Sequence, residues 1–312
     1  MHKLLILSQQ AEDYLRLIRD ERLADLELLA TNDPLEAIDR GRDCDLAFGE
    51  PALLSRVLPH LPGLNWMQAT WAGVEPLLDP NLRRDYILTN ARGIFGELMS
   101  EYVFGYLLAH ERHIIQRYIS QQVGCWNEMA PGTLRGKQIG LLGVGSIGAN
   151  LARTARHFGM RVRGYTRASE SCLEVDVYYH PPDKLTLAKD LDYLVCVLPQ
   201  ITDTRQIVDE ALLGVLPRQA VIINVGRGSL LDEAALVEAL QSGRIAGAVL
   251  DVFMEEPLPP GHIFWRTPNL LITSHTAAPT IPEEIVSLFL FNYHRLVAGE
   301  GLIYQVNFEL GY

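Results

Sequence analysis

The chain has 312 residues, of which 48% are hydrophobic and 21% charged, enough to build two domains with ample cores. Its formal net charge of −11 argues against nucleic acid as a partner, because an acidic protein repels phosphate backbones. No apolar run approaches a membrane span, and the run Leu4 to Leu7 is too short for a secretory signal. We therefore expect a cytoplasmic protein without a membrane partner.

Strand-like segments alternate with helix-prone or turn-like segments from the start of the chain. The strand-like segments of this first part are KLLIL, LELLA, DLAFG, LNWMQA and YILTN. Such alternation predicts an α/β unit. A helical pattern from Glu97 to Gln122 follows, and we expect one long helix that crosses between two domains.

A glycine-rich turn follows the next apolar run, Ile139 to Leu142. Its pattern is G-x-G-x-x-G, and a helical pattern from Ser146 to Phe158 comes directly after it. In a dinucleotide site the first glycine makes the turn, the second lets backbone approach the phosphates, and the third lets the helix pack close to the strand. We therefore predict a nicotinamide dinucleotide here; the alternative is a turn with close packing only. The residues assigned to the cofactor are Gly143, Gly145, Ser146, Ile147 and Gly148.

The second strand of this unit, MRVRGY, spans residues 160–165 and should end in an acidic residue if NAD is preferred. The sequence there reads Tyr165, Thr166, Arg167. A carboxylate that would repel a ribose 2′-phosphate is missing, and the guanidinium of Arg167 could pair with one. We therefore predict that NADP(H) is preferred and that NAD(H) is a possible second cofactor. The alternative is that Arg167 is a solvated loop charge.

Three charged residues lie beyond apolar, strand-like runs in the second half of the chain. Arg227 follows AVIINV, Glu256 follows AGAVLD, and His275 follows LLIT. In open α/β sheets, ligands bind beyond the carboxyl ends of parallel strands, where these residues could converge. An arginine can bind a carboxylate through two hydrogen bonds, and a histidine held by a carboxylate can deliver a proton near neutral pH. These are the groups needed to reduce a 2-keto acid.

Four cysteines are widely spaced along the chain, without C-x-x-C or histidines at metal-ligand intervals. Neither a disulfide framework nor a metal site is predicted. Cys196 lies within the apolar segment YLVCVLP, and we interpret it as a small core residue.

Near the end of the chain, Pro282 is expected to open a helix from Glu283 to Ala298, and the tail IYQVNFEL to return to the first domain.

Nearly the whole chain resembles the D-isomer-specific 2-hydroxyacid dehydrogenases, most closely the glyoxylate/hydroxypyruvate reductase branch. The matching stretches, in the family's order and spacing, are NWMQATWAGVEPLL, LRGKQIGLLGVGSIG, VCVLPQITDTRQIVD, VIINVGRGSLLDEAAL, AGAVLDVFMEEPLP and ITSHTAA. The fold class expected is α/β, with two doubly wound parallel-sheet domains. A Rossmann NAD(P)-binding domain, residues 99–281, would be inserted in a flavodoxin-like substrate-binding domain, residues 1–98 and 282–312.

The resemblance implies a role for each of the three charged residues. Arg227 would bind the substrate carboxylate and carbonyl, His275 would be the acid/base, and Glu256 would orient it. Glu255 competes with Glu256, but the family pattern D-V-F-x-x-E-P places the functional carboxylate at Glu256. We interpret Glu255 as a solvated loop charge. Ser274 is a departure, because many members carry proline there, and it removes a local restraint on φ.

Further positions follow from the resemblance alone. Backbone amides of the loop Trp71, Ala72, Gly73 and Val74 would bind the substrate carboxylate, while Leu198, Pro199 and Thr204 would border the cofactor. Asp251 would contact the nicotinamide carboxamide. Each has a structural alternative: Trp71 packing, Gly73 making a turn, and Asp251 capping its strand.

The function expected is reduction of glyoxylate or hydroxypyruvate to the D-2-hydroxy acid. Glu256 argues against formate, because formate dehydrogenases of this family carry glutamine there. Many phosphoglycerate dehydrogenases add a C-terminal regulatory domain, for which we expect no room here. A homodimer is implied, paired across the helix at Glu97 and nearby segments. The alternative function is a nonenzymatic NAD(P)(H)-binding regulator that resembles the dehydrogenase-like corepressors.

Overall fold

The computed structural model describes residues 1–167 and 169–311. These residues form two compact units: Met1–Ile94 with the segment that begins at Thr280, and Phe95–Pro279. The junctions thus fall at 94/95 and 279/280, where the sequence suggested 98/99 and 281/282. No helix within the described ranges has both the length and the apolar character needed to cross a membrane.

The first unit is built on a five-stranded parallel sheet. Its strands are β1 (His2–Leu7), β2 (Leu26–Thr31), β3 (Leu46–Gly49), β4 (Trp66–Ala69) and β5 (Ile87–Thr89). The helices between them are α1 (Ala11–Asp20), α2 (Pro34–Arg40) and α3 (Pro51–Val57). The strand order is β2-β1-β3-β4-β5 with every pair parallel, which confirms the predicted flavodoxin-like arrangement.

The second unit is built on a seven-stranded parallel sheet. Its helices are α4 (Gly96–Glu111), α5 (Ile114–Gln122), α6 (Ser146–His157), α7 (Lys184–Ala188), α8 (Glu210–Val215) and α9 (Glu233–Gln241). Its strands are β6 (Gln138–Leu142), β7 (Arg161–Tyr165), β8 (Val177–Tyr179), β9 (Tyr193–Cys196), β10 (Val221–Asn224), β11 (Gly247–Leu250) and β12 (Leu270–Ile272). The order β12-β11-β10-β9-β6-β7-β8 reverses between β6 and β9, as in a Rossmann domain. The predicted fold class is confirmed.

The segment predicted as one long helix is two helices, so that prediction was wrong. α4 ends at Glu111 and α5 begins at Ile114. Between them His113 has φ +53°, in the left-handed region. A residue in that conformation cannot continue a right-handed helix. Apolar residues recur on both sides of the break, and for this reason the sequence pattern did not reveal it.

The second sheet is apolar on both faces, because helices cover both. Along β10, Ile222 belongs to one core cluster, whereas Val221 and Ile223 belong to the other. This division follows the alternation of side chains along a strand. Cys196 is fully buried in the first of these clusters, and burial raises the pKa of its thiol to about 12. Its interpretation as a core residue is confirmed.

The chain returns to the first unit through helix α10, Pro282–Val297, which begins at the predicted proline. Phe289 of this helix stacks on Trp66 of β4, with ring centroids 5.1 Å apart and planes 7° from parallel. Beyond the helix, the amide of Val306 donates to the carbonyl of Leu88 in β5 at 2.8 Å. The tail therefore returns to the first domain, as predicted.

Candidate active site

The glycine turn joins β6 to α6 at the point where the second sheet reverses its strand order. Gly143 has φ +111°, and a Cβ on Gly148 would lie 2.2 Å from the carbonyl oxygen of Gly143. A turn at Gly143 and close packing at Gly148 are therefore confirmed. A Cβ on Gly145 would meet no atom within 4 Å, and α6 begins at the next residue. The turn thus leaves space in front of the N-terminal amides of a helix, where a pyrophosphate can bind.

The loop after β7 carries the residues assigned to the adenosine end of the cofactor. Thr166 is half-buried and Arg167 is exposed. The amide of Thr166 donates to the carbonyl of Tyr179 at 3.1 Å, and its own carbonyl lies 2.8 Å from Nδ1 of His180. The start of this loop is therefore fixed to the end of β8, which keeps Thr166 and Arg167 at the carboxyl edge of the sheet.

The loop after β9 lies against the glycine turn. The amide nitrogen of Leu198 would be 3.2 Å from a Cβ on Gly143. Thr204 is buried, and its hydroxyl donates to the carbonyl of Pro199 at 2.7 Å while accepting from the amide of Ile201 at 3.0 Å. Thr204 therefore fixes the shape of this loop, and the structure brings Leu198 to the predicted cofactor turn.

His275 and Glu256 form a hydrogen-bonded pair. Nδ1 of His275 lies 2.7 Å from Oε2 of Glu256, and Oε1 of Glu256 accepts from the amide of Phe253 at 2.9 Å. Because an ionised carboxylate only accepts, Nδ1 carries the hydrogen, and Nε2 is the ring atom left to exchange a proton. The His275 side chain is 57% exposed and the Glu256 side chain 34%. The competing carboxylate, Glu255, is exposed.

The backbone of the His275 loop is held by Asp251. His275 has φ +56°, and its amide donates to the Asp251 carbonyl at 2.8 Å. Asp251 is only 1% exposed. Its Oδ1 accepts from the Thr273 hydroxyl at 2.5 Å and the Thr276 amide at 2.8 Å, and its Oδ2 accepts from the Ala277 amide at 3.0 Å. A left-handed non-glycine residue costs about 1–3 kcal/mol, which these hydrogen bonds offset. Since a carboxylate has about four acceptor positions, about one remains, on Oδ2.

The Arg227 loop packs directly on the loop that carries Glu256. A Cβ on Gly228 would lie 1.9 Å from the carbonyl carbon of Phe253, so only glycine allows this approach of the two backbones. Asn224, fully buried at the end of β10, donates from its side chain to the Arg227 carbonyl at 2.9 Å. The guanidinium of Arg227 donates to the Gly226 carbonyl at 2.7 Å. The structure therefore brings the Arg227 loop beside the loop that carries Glu256, and Glu256 is in turn hydrogen-bonded to His275.

The Trp71 loop belongs to the first unit, and two of its carbonyls accept hydrogen bonds from residues beyond β5. The Trp71 carbonyl accepts from the Ala91 amide at 3.1 Å, and the Ala72 carbonyl accepts from the Asn90 side chain at 2.7 Å. Within residues 1–167 and 169–311, the amides of Ala72 and its two successors, Gly73 and Val74, donate to no protein acceptor. Trp71 is 47% exposed, whereas Val74 is buried. The loop is therefore anchored by its carbonyls, whereas these three amides have no protein acceptor within those ranges.

A family model described as "D-isomer specific 2-hydroxyacid dehydrogenase, NAD binding domain" matches residues 104–277. The chain belongs to this family. The matched region contains the glycine turn, Arg227, Glu256 and His275. The resemblance drawn from the sequence is thereby confirmed, and with it the assignment of the chain as a 2-hydroxyacid dehydrogenase.

Individual family members resemble the chain over nearly its full length. A glyoxylate/hydroxypyruvate reductase A of Serratia proteamaculans is 31% identical over 283 residues, which cover 88% of this chain and 89% of the relative. A crystal structure of a family protein from Aeromonas salmonicida is 37% identical with a TM-score of 0.93, covering 98% and 99% of the two chains. The NADPH-dependent glyoxylate/hydroxypyruvate reductase of Sinorhizobium meliloti, solved with NADP and sulfate, is 27% identical with a TM-score of 0.87, covering 100% of both chains.

Two polar residues that shape this dehydrogenase site were not predicted from the sequence. Asn224 holds the Arg227 loop, and Thr273 donates to the buried carboxylate of Asp251. Each stands at or just after the carboxyl end of an apolar strand, β10 and β12. A position just beyond a strand end was also the reason for choosing Arg227 and His275. Applied to uncharged polar residues, the same criterion would have identified Asn224 and Thr273.

Proposed function

We propose that this dehydrogenase reduces a small, unphosphorylated 2-keto acid, glyoxylate or hydroxypyruvate, to the D-2-hydroxy acid, with NADPH as the preferred hydride donor. The observation that carries the proposal is the 2.7 Å contact between His275 and Glu256, on loops packed beside the Arg227 loop. The Serratia and Sinorhizobium relatives are both named glyoxylate/hydroxypyruvate reductases, which supports the choice of substrates. No observation favours the regulator.

Each residue of the proposed site has its own role in the reaction. NADPH, when bound, supplies the hydride. As hydride reaches the keto carbon, negative charge develops on the carbonyl oxygen, and Nε2 of His275 donates a proton there. Glu256 fixes the orientation of the imidazole through Nδ1. Arg227 binds the substrate carboxylate and polarises the carbonyl with a planar, bidentate guanidinium.

The remaining assignments extend this proposal. The amides of Ala72, Gly73 and Val74, which have no protein acceptor among the described residues, bind the substrate carboxylate, with Trp71 bordering it. Leu198, Pro199 and Thr204 border the cofactor, and the glycine turn with Ser146 and Ile147 binds its pyrophosphate. The remaining acceptor position of Asp251 takes the nicotinamide carboxamide. These assignments are supported by the open space at Gly145, by Leu198 lying against the glycine turn, and by the unpartnered amides described above.

The experiment that tests the function is nicotinamide absorbance followed over time with the purified protein. NADPH and NADH are each paired with glyoxylate, hydroxypyruvate, pyruvate and phosphohydroxypyruvate. We expect the highest kcat/KM for NADPH with glyoxylate or hydroxypyruvate. No turnover with any pair, while NADPH still binds, would contradict the proposal and favour the regulator.

The cofactor preference is tested by Arg167→Asp. This variant loses a charge-assisted hydrogen bond to the 2′-phosphate and adds a repelling carboxylate, so the ratio of kcat/KM for NADPH to that for NADH should fall by about tenfold or more. Arg161→Asp is the matched control, because Arg161 is exposed at the opposite end of β7. An unchanged ratio in Arg167→Asp, or an equal fall in the control, would show that Arg167 is a solvated loop charge.

We also propose a homodimer that pairs through α5 and the segment after it. Large apolar side chains are exposed there: Ile114, Tyr118, Ile119, Val123 and Trp126. Exposed apolar side chains concentrated in one segment are typical of an interface, and two-fold pairing is the default symmetry. The cytoplasmic location expected from the sequence stays a prediction.

Light scattering after size exclusion tests the dimer. The unsubstituted protein should have twice the mass of the chain, and the double variant Tyr118→Glu, Ile119→Glu should be monomeric because it places charges in the interface. Leu35→Glu is the control, since Leu35 is 75% exposed on α2 of the first unit. A monomeric unsubstituted protein would overturn the proposal.

A further inference from the structure

A chain of hydrogen bonds links helix α4 to the loop that carries His275. The hydroxyl of Tyr102 lies 2.6 Å from Oγ1 of Thr273, and Thr273 donates to Oδ1 of Asp251 at 2.5 Å. A threonine hydroxyl has one hydrogen, and the ionised carboxylate can only accept it. Tyr102 is therefore the donor to Thr273, and the chain runs from Tyr102 through Thr273 to Asp251.

The environment of Tyr102 keeps it a donor. Burial raises the pKa of the Tyr102 hydroxyl above its usual value, so it stays protonated at neutral pH. Its ring packs against Tyr106, one turn further along α4, with centroids 4.8 Å apart. Tyr102 is thus fixed by its helix while its hydroxyl reaches a residue 171 positions away in the chain.

We propose that Tyr102 is a positioning residue for the reaction, acting through Thr273 and Asp251 on the backbone of the His275 loop. This inference rests on the proposed role of His275. Donation from Tyr102 occupies the Thr273 oxygen, so the hydroxyl hydrogen of Thr273 stays directed at Asp251. Asp251 in turn holds the His275 amide through its carbonyl and the next two amides through its carboxylate.

The effect of losing this chain should fall on the proton-transfer geometry. Without the Tyr102 hydroxyl, the Thr273 side chain can rotate, and Oδ1 of Asp251 loses one of its two donors. Fewer hydrogen bonds then stabilise the left-handed backbone conformation of His275. A displacement of about 1 Å from the productive geometry can cost about 10²-fold in rate. A smaller displacement of the His275 loop should lower the rate by less. The substitutions that cause it remove no group that the cofactor or substrate touches.

The test compares Tyr102→Phe, Thr273→Val and Thr273→Ser. We expect kcat for the keto acid to fall about tenfold in the first two, with the NADPH dissociation constant and the melting temperature little changed, and Thr273→Ser to retain activity because it keeps the hydroxyl. Since both residues act in one chain, the double variant Tyr102→Phe, Thr273→Val should be no slower than the slower single variant. Tyr86→Phe is the control, because its buried hydroxyl has no hydrogen-bond partner among the described residues.

A second readout does not depend on turnover. The Nδ1–H proton of His275, identified by its loss in His275→Gln, should shift in the NMR spectra of Tyr102→Phe and Thr273→Val and stay in place in Tyr86→Phe. The inference is overturned if kcat stays within twofold of the unsubstituted enzyme and the resonance does not move, or if Thr273→Ser is as slow as Thr273→Val. A failure of the proposed function would instead show in the unsubstituted protein, as absent turnover, while the resonance still reports on Tyr102.

Discussion

Replacement of His275 by alanine should lower kcat for keto acid reduction by about 10²–10⁴-fold, the usual contribution of a general acid. The imidazole is the group whose free nitrogen, Nε2, can donate to the developing oxyanion, because Nδ1 is held by Glu256 at 2.7 Å. The NADPH dissociation constant, measured by nicotinamide fluorescence, should change little, since His275 is assigned to the substrate rather than to the dinucleotide. The loss would therefore appear in kcat and kcat/KM together, as expected for an interaction made only in the transition state.

Two further variants separate catalysis from folding. Glu256→Gln retains an acceptor for Nδ1 but replaces a charge-assisted hydrogen bond with a weaker neutral one, so its kcat should lie between those of the unsubstituted enzyme and His275→Ala. His60→Ala is the matched control, because His60 is exposed at the end of a short helical turn in the first unit. Activity of His275→Ala equal to that of the unsubstituted protein would remove the catalytic assignment and return the regulator to consideration.

The rule of parallel strand ends was sufficient to predict where the three charged residues lie in the second sheet. Arg227 and Glu256 follow the buried strands β10 and β11, and His275 follows the partly exposed edge strand β12. Parallel strands in one sheet place such residues at the same edge. The glycine turn was predicted for a similar reason, because its packing depends on missing Cβ atoms that the sequence states directly. The residue types and the parallel topology were therefore sufficient to predict the positions of the charged residues and the glycine turn.

The sequence failed where the outcome depended on backbone conformation or on contacts between distant segments. The left-handed residue His113 interrupts an apolar pattern that continues on both sides, so no periodicity marked the end of α4. Asp251 illustrates the second case. Its carboxylate accepts from Thr273, Thr276 and Ala277, contacts that no spacing in the sequence indicated. The link from Tyr102 to Thr273 spans 171 positions, which no motif or spacing could indicate.

Arg227→Lys should raise the KM for the keto acid and lower kcat, with a loss in kcat/KM of about 10–100-fold. A lysine keeps the positive charge but is a compact point charge, so it cannot bind the carboxylate and polarise the carbonyl in one plane. The carboxylate contact exists in the ground state and in the transition state, and its loss should therefore raise KM. The carbonyl contact strengthens as charge develops on oxygen, and its loss should lower kcat.

The control for this prediction is Arg218→Lys. Arg218 is exposed in the segment before β10, so it lies near the amino end of the same strand whose carboxyl end leads to Arg227. Its replacement should leave both kinetic constants within about twofold of their original values, because surface substitutions away from a site are usually small in effect. Equal losses in the two variants would mean that any arginine near this strand matters for stability. A loss confined to Arg227→Lys and divided between KM and kcat would assign the guanidinium to both the carboxylate and the carbonyl of the substrate.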